Sequence, residues 1–387
     1  MVPSVTVGAR GEARLRGGHL WVYRADVQEA RAAAGDVVSV VGPRGRPIGW
    51  ALYSDRSQIA LRLLAGSDRP ADLTLWRERL QAALAFRASL AIDATAYRLV
   101  HGEADGLPSL VVDRYADCLV VQALSQGVDR LLPALVPVLV ELTGARGVLA
   151  RNDPRVRLLE GLDRRVELLY GDVPERVDVR EGAVVYEADL WRGQKTGLFL
   201  DQRENRTAAA AYARGRLLDC FTYHGGFALQ LAPRCDEAIA VDISEEAVRR
   251  TAANADRNGL SRVRALAANV FDELRRREQA GERFDMVVLD PPAFAKNKAA
   301  VPRALSGYRE INLRALKLLD PGGYLVTCSC SYNIDEALFG RILLEAALDA
   351  RARVTVVENR RQARDHPVLL GMPETAYLKC LILRKIE

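Results

Sequence analysis

Two segments near the C-terminus carry an acid and a thiol that could do chemistry together. The first, residues 287–294, is an apolar run that ends at Asp290 and two prolines. The second, residues 322–331, opens on a glycine pair and ends near Cys330. Buried apolar runs that end in polar residues are typical of parallel strands, and ligands bind outside the carboxyl ends of such strands. The sequence therefore predicts one pocket in which a thiol attacks a ring while an acid holds the ring's polar edge.

The elements that must position this pair begin at about residue 184, where strand-like and helix-like segments start to alternate. This alternation indicates a parallel α/β sheet. Ser244 is a favourable N-cap and Gly259 a favourable helix stop. Strands are expected at 216–220, 237–242, 263–267, 284–290, 323–329 and 377–384, with helices at 244–258, 308–319 and 335–350 among others.

The turn after the first of these strands contains the expected cofactor site. A glycine pair there lets backbone approach a ligand closely, but the stretch lacks the glycine pattern of dinucleotide binders. Asp242 ends the next strand, where a carboxylate can accept hydrogen bonds from ribose hydroxyls. These features favour adenosine without a pyrophosphate, and hence S-adenosylmethionine over a nicotinamide dinucleotide. The predicted contacts are Phe221, Tyr223, Gly225, Gly226, Phe227, Asp242, Ile243, Ser244, Asn269, Val270 and Asp290.

Two further regions precede this sheet. Residues 1–70 contain strand–turn–strand patterns typical of a small barrel, with basic and aromatic residues interleaved near the start. That surface would suit nucleic acid, with an ordinary solvated surface and Trp21 in the core as the alternative. Residues 73–183 begin with an amphipathic helix and continue as an α+β unit in which no catalytic constellation is evident.

The composition constrains the possible partners, metal sites and compartment less strongly. The net charge is +5, and 49 of the 55 basic residues are Arg, which suits a polyanionic partner or simply a biased genome composition. Six cysteines without a Cys-x-x-Cys motif and only four histidines predict no metal site and no disulfide framework. The reducing cytoplasm is the expected compartment, since the sequence shows neither a secretory signal nor a spanning segment, and no membrane partner is expected.

Five motifs spread along the chain form a recognisable set. They are residues 193–206, the turn 223–227, residues 290–294, residues 329–331 and residues 365–367. The block 194–206 is the most specific of them. Through them the whole chain resembles the bacterial 23S rRNA (cytosine-5) methyltransferases of the large-subunit methyltransferase I type. The resemblance implies an α/β fold with an N-terminal PUA β-barrel (1–70), a central α+β domain (73–183) and a class I, Rossmann-like methyltransferase domain (184–387).

The resemblance also implies an enzyme that methylates C5 of a cytidine. A thiolate adds to C6 and makes C5 nucleophilic, while Asp290 binds the N3/N4 edge. Counted from the glycine pair, the nucleophile of related RNA enzymes falls at Cys330. Cys328 lies two residues earlier on the strand, and strand alternation puts both side chains on one face, so parity does not decide between them. The simpler alternative is that both are small core residues.

Other residues receive roles from the same resemblance. Lys195, Thr196 and Gly197 are expected beside the cofactor, with a helix cap and surface arginines as the alternative. The predicted substrate contacts are Pro291, Pro292, Phe294, Lys296, Arg203 and Tyr332, with the two aromatic residues as candidates for stacking on a flipped base.

Two rival functions stay open. One is methylation of a ring nitrogen such as guanine N7, which needs no cysteine, and the other is a non-catalytic RNA-binding assembly factor. The expected partner is 23S rRNA, either free or in a large-subunit precursor. The sequence leaves the modified position and the oligomeric state open, with a homodimer as one option.

Overall fold

The computed structural model describes residues 2–69, 71–295 and 297–387. It divides into two compact units, each assembled from segments distant in sequence. The first comprises Met1–Val179, Ala188–Leu200 and Arg364–Thr375, and the second comprises Arg180–Glu187, Asp201–Ala363 and Ala376–Glu387. The domain limits 1–70, 73–183 and 184–387 stay a prediction.

The first sheet belongs to the first unit and has six strands in the order β2-β6-β5-β4-β1-β3. Its elements are β1 (Ser4–Val7), α1 (Ala9–Arg16), β2 (Trp21–Tyr23), β3 (Val27–Arg31), β4 (Val37–Val41), β5 (Pro47–Tyr53) and β6 (Ile59–Gly66). Strands β4 and β5 pair antiparallel, as their strand–turn–strand pattern predicts. Every second residue of β4 is buried, so one face of the sheet builds a small apolar core.

The second sheet, also in the first unit, has the order β11-β10-β9-β8-β7. Its elements are α2 (Leu73–Ser89), β7 (Ala96–His101), β8 (Leu110–Tyr115), β9 (Cys118–Ala123), α3 (Gln126–Thr143), β10 (Gly147–Asn152), α4 (Val156–Leu159) and β11 (Arg165–Gly171). The side chains of Asp72 and Ser125 cap the two long helices by accepting from backbone amides. A two-stranded hairpin follows, β12 (Arg176–Glu181) and β13 (Val184–Asp189), and it contributes residues to both units.

The third sheet is in the second unit and contains the strands whose ends bear Asp242, Asp290 and Cys330. Its elements are α5 (Arg203–Ala210), β14 (Arg216–Cys220), α6 (Gly226–Leu231), β15 (Glu237–Asp242), α7 (Glu245–Arg257), β16 (Val263–Ala267), α8 (Val270–Gln279), β17 (Phe284–Leu289), α9 (Val301–Leu318), β18 (Leu319–Ser329), α10 (Glu336–Asp349), β19 (Val354–Arg360) and β20 (Lys379–Lys385).

The seven strands lie in the order β16-β15-β14-β17-β18-β20-β19, and β20 runs antiparallel to both of its neighbours. The strand order reverses between β14 and β17, which makes their carboxyl ends a topological switch point where ligands bind. Within the described residues, no helix combines the length and the apolar character needed to cross a lipid bilayer.

The predicted bounds of β14, β15 and β16 are confirmed, as are the N-cap at Ser244 and the left-handed Gly259 after α7. The predicted start of α9 at residue 308 is wrong, because the helix begins at Val301. Pro302 occupies its first turn, where a missing backbone N–H costs no hydrogen bond. The strand β18 likewise begins at Leu319, before the glycine pair.

Candidate functional site

The site is built at the switch point, where β14 and β17 run parallel and pair Cys220 with Leu289. The chain leaves β14 in a tight turn. Phe221 and Tyr223 both have left-handed backbones, with φ of 64° and 54°, and Gly225 follows with φ of 89°. Left-handed non-glycine residues are uncommon and cluster at functional sites. A Cβ on Gly225 would also come within 3.0 Å of both Leu229 and Thr251, so the turn requires glycine there.

The carboxylate of Asp242, at the end of β15, holds this turn in place. Its Oδ2 accepts from the Tyr223 amide at 2.9 Å and its Oδ1 accepts from the Ser244 amide at 2.9 Å. The structure therefore brings the predicted cofactor residues of the first two strand ends together. Beside this carboxylate, the side chain of Ile243 is 71% exposed. An exposed apolar side chain next to a carboxylate fits the adenine and ribose of a bound nucleoside.

Asn269 and Val270 start α8 at the next strand end. The Asn269 Oδ1 accepts from the Phe271 amide at 2.9 Å, so this side chain is the helix N-cap. Val270 is buried in the core beneath the sheet, as Phe227 is on the opposite side. The roles of these residues toward the cofactor stay predictions.

Asp219 is a site residue that sequence reasoning missed. It is buried in β14 and accepts from the Thr222 hydroxyl at 2.6 Å and the Ala228 amide at 2.9 Å. Burial raises the pKa of Asp219 to about 7, and the charges of Asp290 and Asp242 act in the same direction. Three carboxyl groups thus influence one another around the turn. Such an acidic environment suits a sulfonium cation and an amino group, the two positive groups of S-adenosylmethionine. The signal in the sequence that could have indicated Asp219 is an acidic residue within an otherwise apolar strand.

His224 lies within the same turn but inside the protein. Its ring makes edge contacts with Tyr186 and Tyr223, at centroid distances of 5.6 and 4.5 Å. Burial lowers the pKa of His224 to about 3, with the positive charges of Arg206 and Arg250 adding to the effect. The imidazole is therefore neutral at physiological pH and packs as part of the core.

Asp290 follows β17 directly and is held by a chain of amide side chains. The Gln202 Nε2 donates to the Asp290 Oδ1 at 2.8 Å, and the Asn205 Nδ2 donates to the Gln202 Oε1 at 2.7 Å. Both amides are buried. Gln202 and Asn205 belong to the 193–206 motif, but sequence reasoning did not assign them to the acid. Buried hydrogen-bonded partners of this kind fix the orientation of a functional carboxyl group.

The two cysteines of β18 have different surroundings. Cys328 is fully buried in an apolar cluster opposite Cys380, and burial raises the pKa of the Cys328 thiol well above its ordinary value. Cys330 comes just after the strand ends and is partly exposed. Its Sγ lies 3.9 Å from the carbonyl oxygen of Pro291, the residue after Asp290. The thiol at 330 and the acid-bearing loop are therefore neighbours.

A hydroxyl network holds the loops after β17 and β18 together. The Tyr308 hydroxyl of α9 lies 3.1 Å from the Ser329 Oγ and 3.0 Å from the Ser331 Oγ. The same Ser331 oxygen accepts from the Ala295 amide at 3.1 Å, and the Asn333 side chain donates to the Ala295 carbonyl at 3.4 Å. These bonds tie the segment that contains Cys330 to the segment that follows Asp290.

The predicted substrate contacts have diverse settings. Pro291 is buried and Pro292 exposed. Phe294 packs in an aromatic group with Tyr308 at 4.7 Å and Phe271 at 6.0 Å, whereas Tyr332 is 53% exposed. The guanidinium of Arg203 is buried in α5, 3.7 Å from Glu204. Lys296 lies outside the described residues. These roles stay predictions, with Tyr332 the most accessible aromatic candidate.

Lys195, Thr196 and Gly197 belong to the first unit. Within it, the buried Thr196 hydroxyl donates to the Asp113 Oδ2 at 2.7 Å and lies 2.9 Å from the Tyr115 hydroxyl. The Lys195 ammonium lies 4.5 Å from the centre of the Phe199 ring. These contacts order the segment inside its own unit, and the cofactor role of its residues stays a prediction.

Comparison with known protein families identifies two matching models. The model for S-adenosylmethionine-dependent methyltransferases matches residues 97–384, and the model for a PUA-like domain matches residues 5–65. Together with the strand order, these matches confirm the predicted fold class and the predicted cofactor, S-adenosylmethionine.

Individual relatives match nearly the whole chain. Ribosomal RNA large subunit methyltransferase I of Tolumonas auensis is 40% identical over 379 residues, which covers 95% of this chain and 96% of the relative. The protein of the same name from Vibrio cholerae is 38% identical over 390 residues, covering 98% of each.

Solved structures agree on the fold. A putative methyltransferase from Streptococcus mutans superposes with a TM-score of 0.84 at 20% identity, covering 99% of this chain and 100% of that one. A putative methyltransferase complexed with SAH gives 0.86 at 20% identity, with the same coverage.

Proposed function

Because the chain belongs to the S-adenosylmethionine-dependent methyltransferase family that includes ribosomal RNA large subunit methyltransferase I, we propose that it methylates C5 of a cytidine in 23S rRNA. The reaction proceeds through a covalent adduct between Cys330 and C6 of the base. The large-subunit RNA substrate is inferred from the relatives' names and from the match to a PUA-like domain.

One observation carries the proposed chemistry. The Cys330 Sγ lies 3.9 Å from the carbonyl oxygen of the residue that follows Asp290, so a thiol and a carboxyl group border the same strand ends. A ring-nitrogen methyltransferase would need the acid but not the thiol. The other cysteine on this strand, Cys328, is fully buried and packs in an apolar cluster of the core, whereas Cys330 is partly exposed.

The chain's own residues supply the steps around the bound base. The Asp290 carboxyl, oriented by Gln202, holds the N3/N4 edge. The Cys330 thiolate adds to C6, and the electron pair displaced from the C5–C6 double bond makes C5 nucleophilic. S-adenosylmethionine, when bound, supplies the electrophilic methyl group. After C5 has taken the methyl group, a base removes the C5 proton and the electron pair expels the Cys330 thiolate, which restores the ring.

Trapping the adduct tests this proposal. In 23S rRNA transcribed with 5-fluorocytidine, fluorine replaces the C5 proton, so the last step fails and the protein stays attached to the RNA. We expect a covalent complex with the wild-type chain and with Cys328→Ala, but none with Cys330→Ala. Peptide mapping should place the bond on Cys330.

Three results would overturn the proposal. They are an adduct that persists in Cys330→Ala, a methyl group found on a ring nitrogen by nucleoside mass analysis, or full turnover by Cys330→Ala. Absence of S-adenosylmethionine binding by the folded protein in calorimetry would instead favour an RNA-binding assembly factor.

A further inference from the structure

A buried lysine lies beside the proposed nucleophile on the neighbouring strand. β20 pairs antiparallel with β18, and the register sets Lys379 opposite Ser329 and Cys380 opposite Cys328. Residues directly opposite each other in a sheet share a face. Lys379 therefore projects to the face on which Ser329 meets Tyr308, while the two paired cysteines fill the other face.

The ammonium of Lys379 reaches the loop that follows the strand. Its Nζ donates to the carbonyl oxygens of Ser331 at 2.8 Å and Tyr377 at 2.9 Å. The residue is only 8% exposed. In the described part of the chain it makes no ion pair within 4 Å, so its positive charge is bound only by neutral oxygens. Burying an ammonium without a carboxylate partner is costly, and such groups are frequent at functional sites.

The charges that face this ammonium come from two segments. Burial lowers the pKa of Lys379 to about 8, and the negative charges of a Cys330 thiolate, Asp335 and Glu336 act in the opposite direction. The pKa of Tyr308 is raised mainly by burial, and the negative charge of a Cys330 thiolate raises it further. Below about pH 8 the lysine is therefore protonated, close to a cysteine that must lose its proton in order to attack.

We propose that Lys379 is a positioning residue that acts through Cys330: its ammonium, anchored on the Ser331 carbonyl, stabilises the Cys330 thiolate before it adds to the base. A nearby positive charge favours the charged form of a thiol. This role deepens the function proposed above and rests on it. The acid–base step is balanced locally, because the thiol's proton leaves to solvent and the lysine keeps its own.

The chain contains a matched control on the same strand. Lys385 lies six residues further along β20, and strand alternation therefore places it on the same face. Its Nζ also donates to two backbone carbonyls, those of Leu316 at 3.0 Å and Leu319 at 2.7 Å. Burial lowers the pKa of Lys385 as well, but the charged groups that face it are Arg283 and Asp320 rather than a cysteine.

The test is the pH dependence of Cys330 alkylation by iodoacetamide, measured on the full-length protein by peptide mass spectrometry. We expect Lys379→Met to move the alkylation midpoint upward by about one pH unit, and to slow alkylation at neutral pH by about tenfold. Lys379→Arg, which keeps the charge, and Lys385→Met should both keep the wild-type midpoint. If Lys379→Met does not fold, Lys379→Gln keeps a donor for the Ser331 carbonyl and gives the same comparison.

An unchanged midpoint in Lys379→Met or Lys379→Gln would overturn the role of Lys379. A lower melting temperature in these variants, without a shifted midpoint, would show that the lysine is only structural. Alkylation requires neither RNA nor turnover. A shifted midpoint in a protein that forms no RNA adduct would therefore count against the proposed function and leave the thiolate stabilisation standing.

Discussion

The buried core around the third sheet and the carboxyl edge of that sheet both contain side chains that can ionise, but their surroundings differ. Cys328 and His224 lie inside, where burial holds the thiol and the imidazole in their neutral forms. Cys330 and Asp290 lie at the edge, where the strands have ended and polar partners reach them. For the two cysteines of β18, the difference in burial thus separates a packing residue from the proposed nucleophile. Substitutions at the edge should change turnover, and substitutions in the interior should change stability.

The largest expected effect is that of Cys330→Ala. Removing the proposed nucleophile should lower the methylation of 23S rRNA by about 10³-fold or more. The free energy of unfolding should change by less than about 0.5 kcal/mol, because the side chain is partly exposed. Methyl transfer from labelled S-adenosylmethionine and urea unfolding measure the two effects. If Cys330→Ala lost stability but retained turnover, Cys330 would be a packing residue, contrary to the expected difference between edge and interior.

Asp290→Asn should have the next largest effect. The variant keeps the shape of the side chain but changes the group that is proposed to hold the base, and we expect a loss in kcat of about 10²-fold. Gln202→Ala keeps the acid but removes the hydrogen bond that orients it, together with the bond from Asn205, and should lower kcat by about tenfold. Equal losses of kcat in Asp290→Asn and Gln202→Ala would indicate that the Gln202 amide, rather than the acid at position 290, is the essential group.

The buried imidazole of His224 should make the free energy of unfolding depend on pH. Its folded pKa of about 3 lies below the ordinary value of 6.5, so the unfolded chain binds the proton first and the stability present above pH 6.5 is lost as the pH falls toward 3. Between pH 6.5 and 5 the wild-type chain should lose about 2 kcal/mol more than His224→Gln.

Urea unfolding of both proteins at the two pH values provides this difference. The comparison with the variant is needed because the raised pKa of Asp219 has the opposite sign in the same pH range. Parallel pH profiles for the two proteins would show that the imidazole is hydrated or charged in the fold.

Cys328→Ala should have the smallest effect. It leaves a small cavity among apolar neighbours, which should lower the free energy of unfolding by about 1 kcal/mol with turnover unchanged. Thermal unfolding and methyl transfer at saturating RNA are the measurements. A loss of turnover comparable to that of Cys330→Ala would place the nucleophile on the strand itself.

Much of the third sheet could be predicted from local pattern. β14 and β15 are short, largely buried runs of apolar residues, as expected for inner strands of a parallel sheet, and β16 is a short run that follows a clear helix stop at Gly259. The start of α9 was harder, since a proline in a first helical turn resembles a loop. The tail segment Arg364–Thr375 belongs to the first unit through long-range contacts that no local pattern records.

The sequence by itself determined the order of strands and helices, the identity of the acid, and two cysteines between which strand alternation could not choose. Only the tertiary structure decided between their environments, because the strand ends at Ser329 and the chain then turns toward Pro291. It alone brought Gln202 to Asp290, and Lys379 to the loop after Cys330. These pairs are distant in sequence and meet through strand register and helix packing, which depend on the whole core rather than on neighbouring residues.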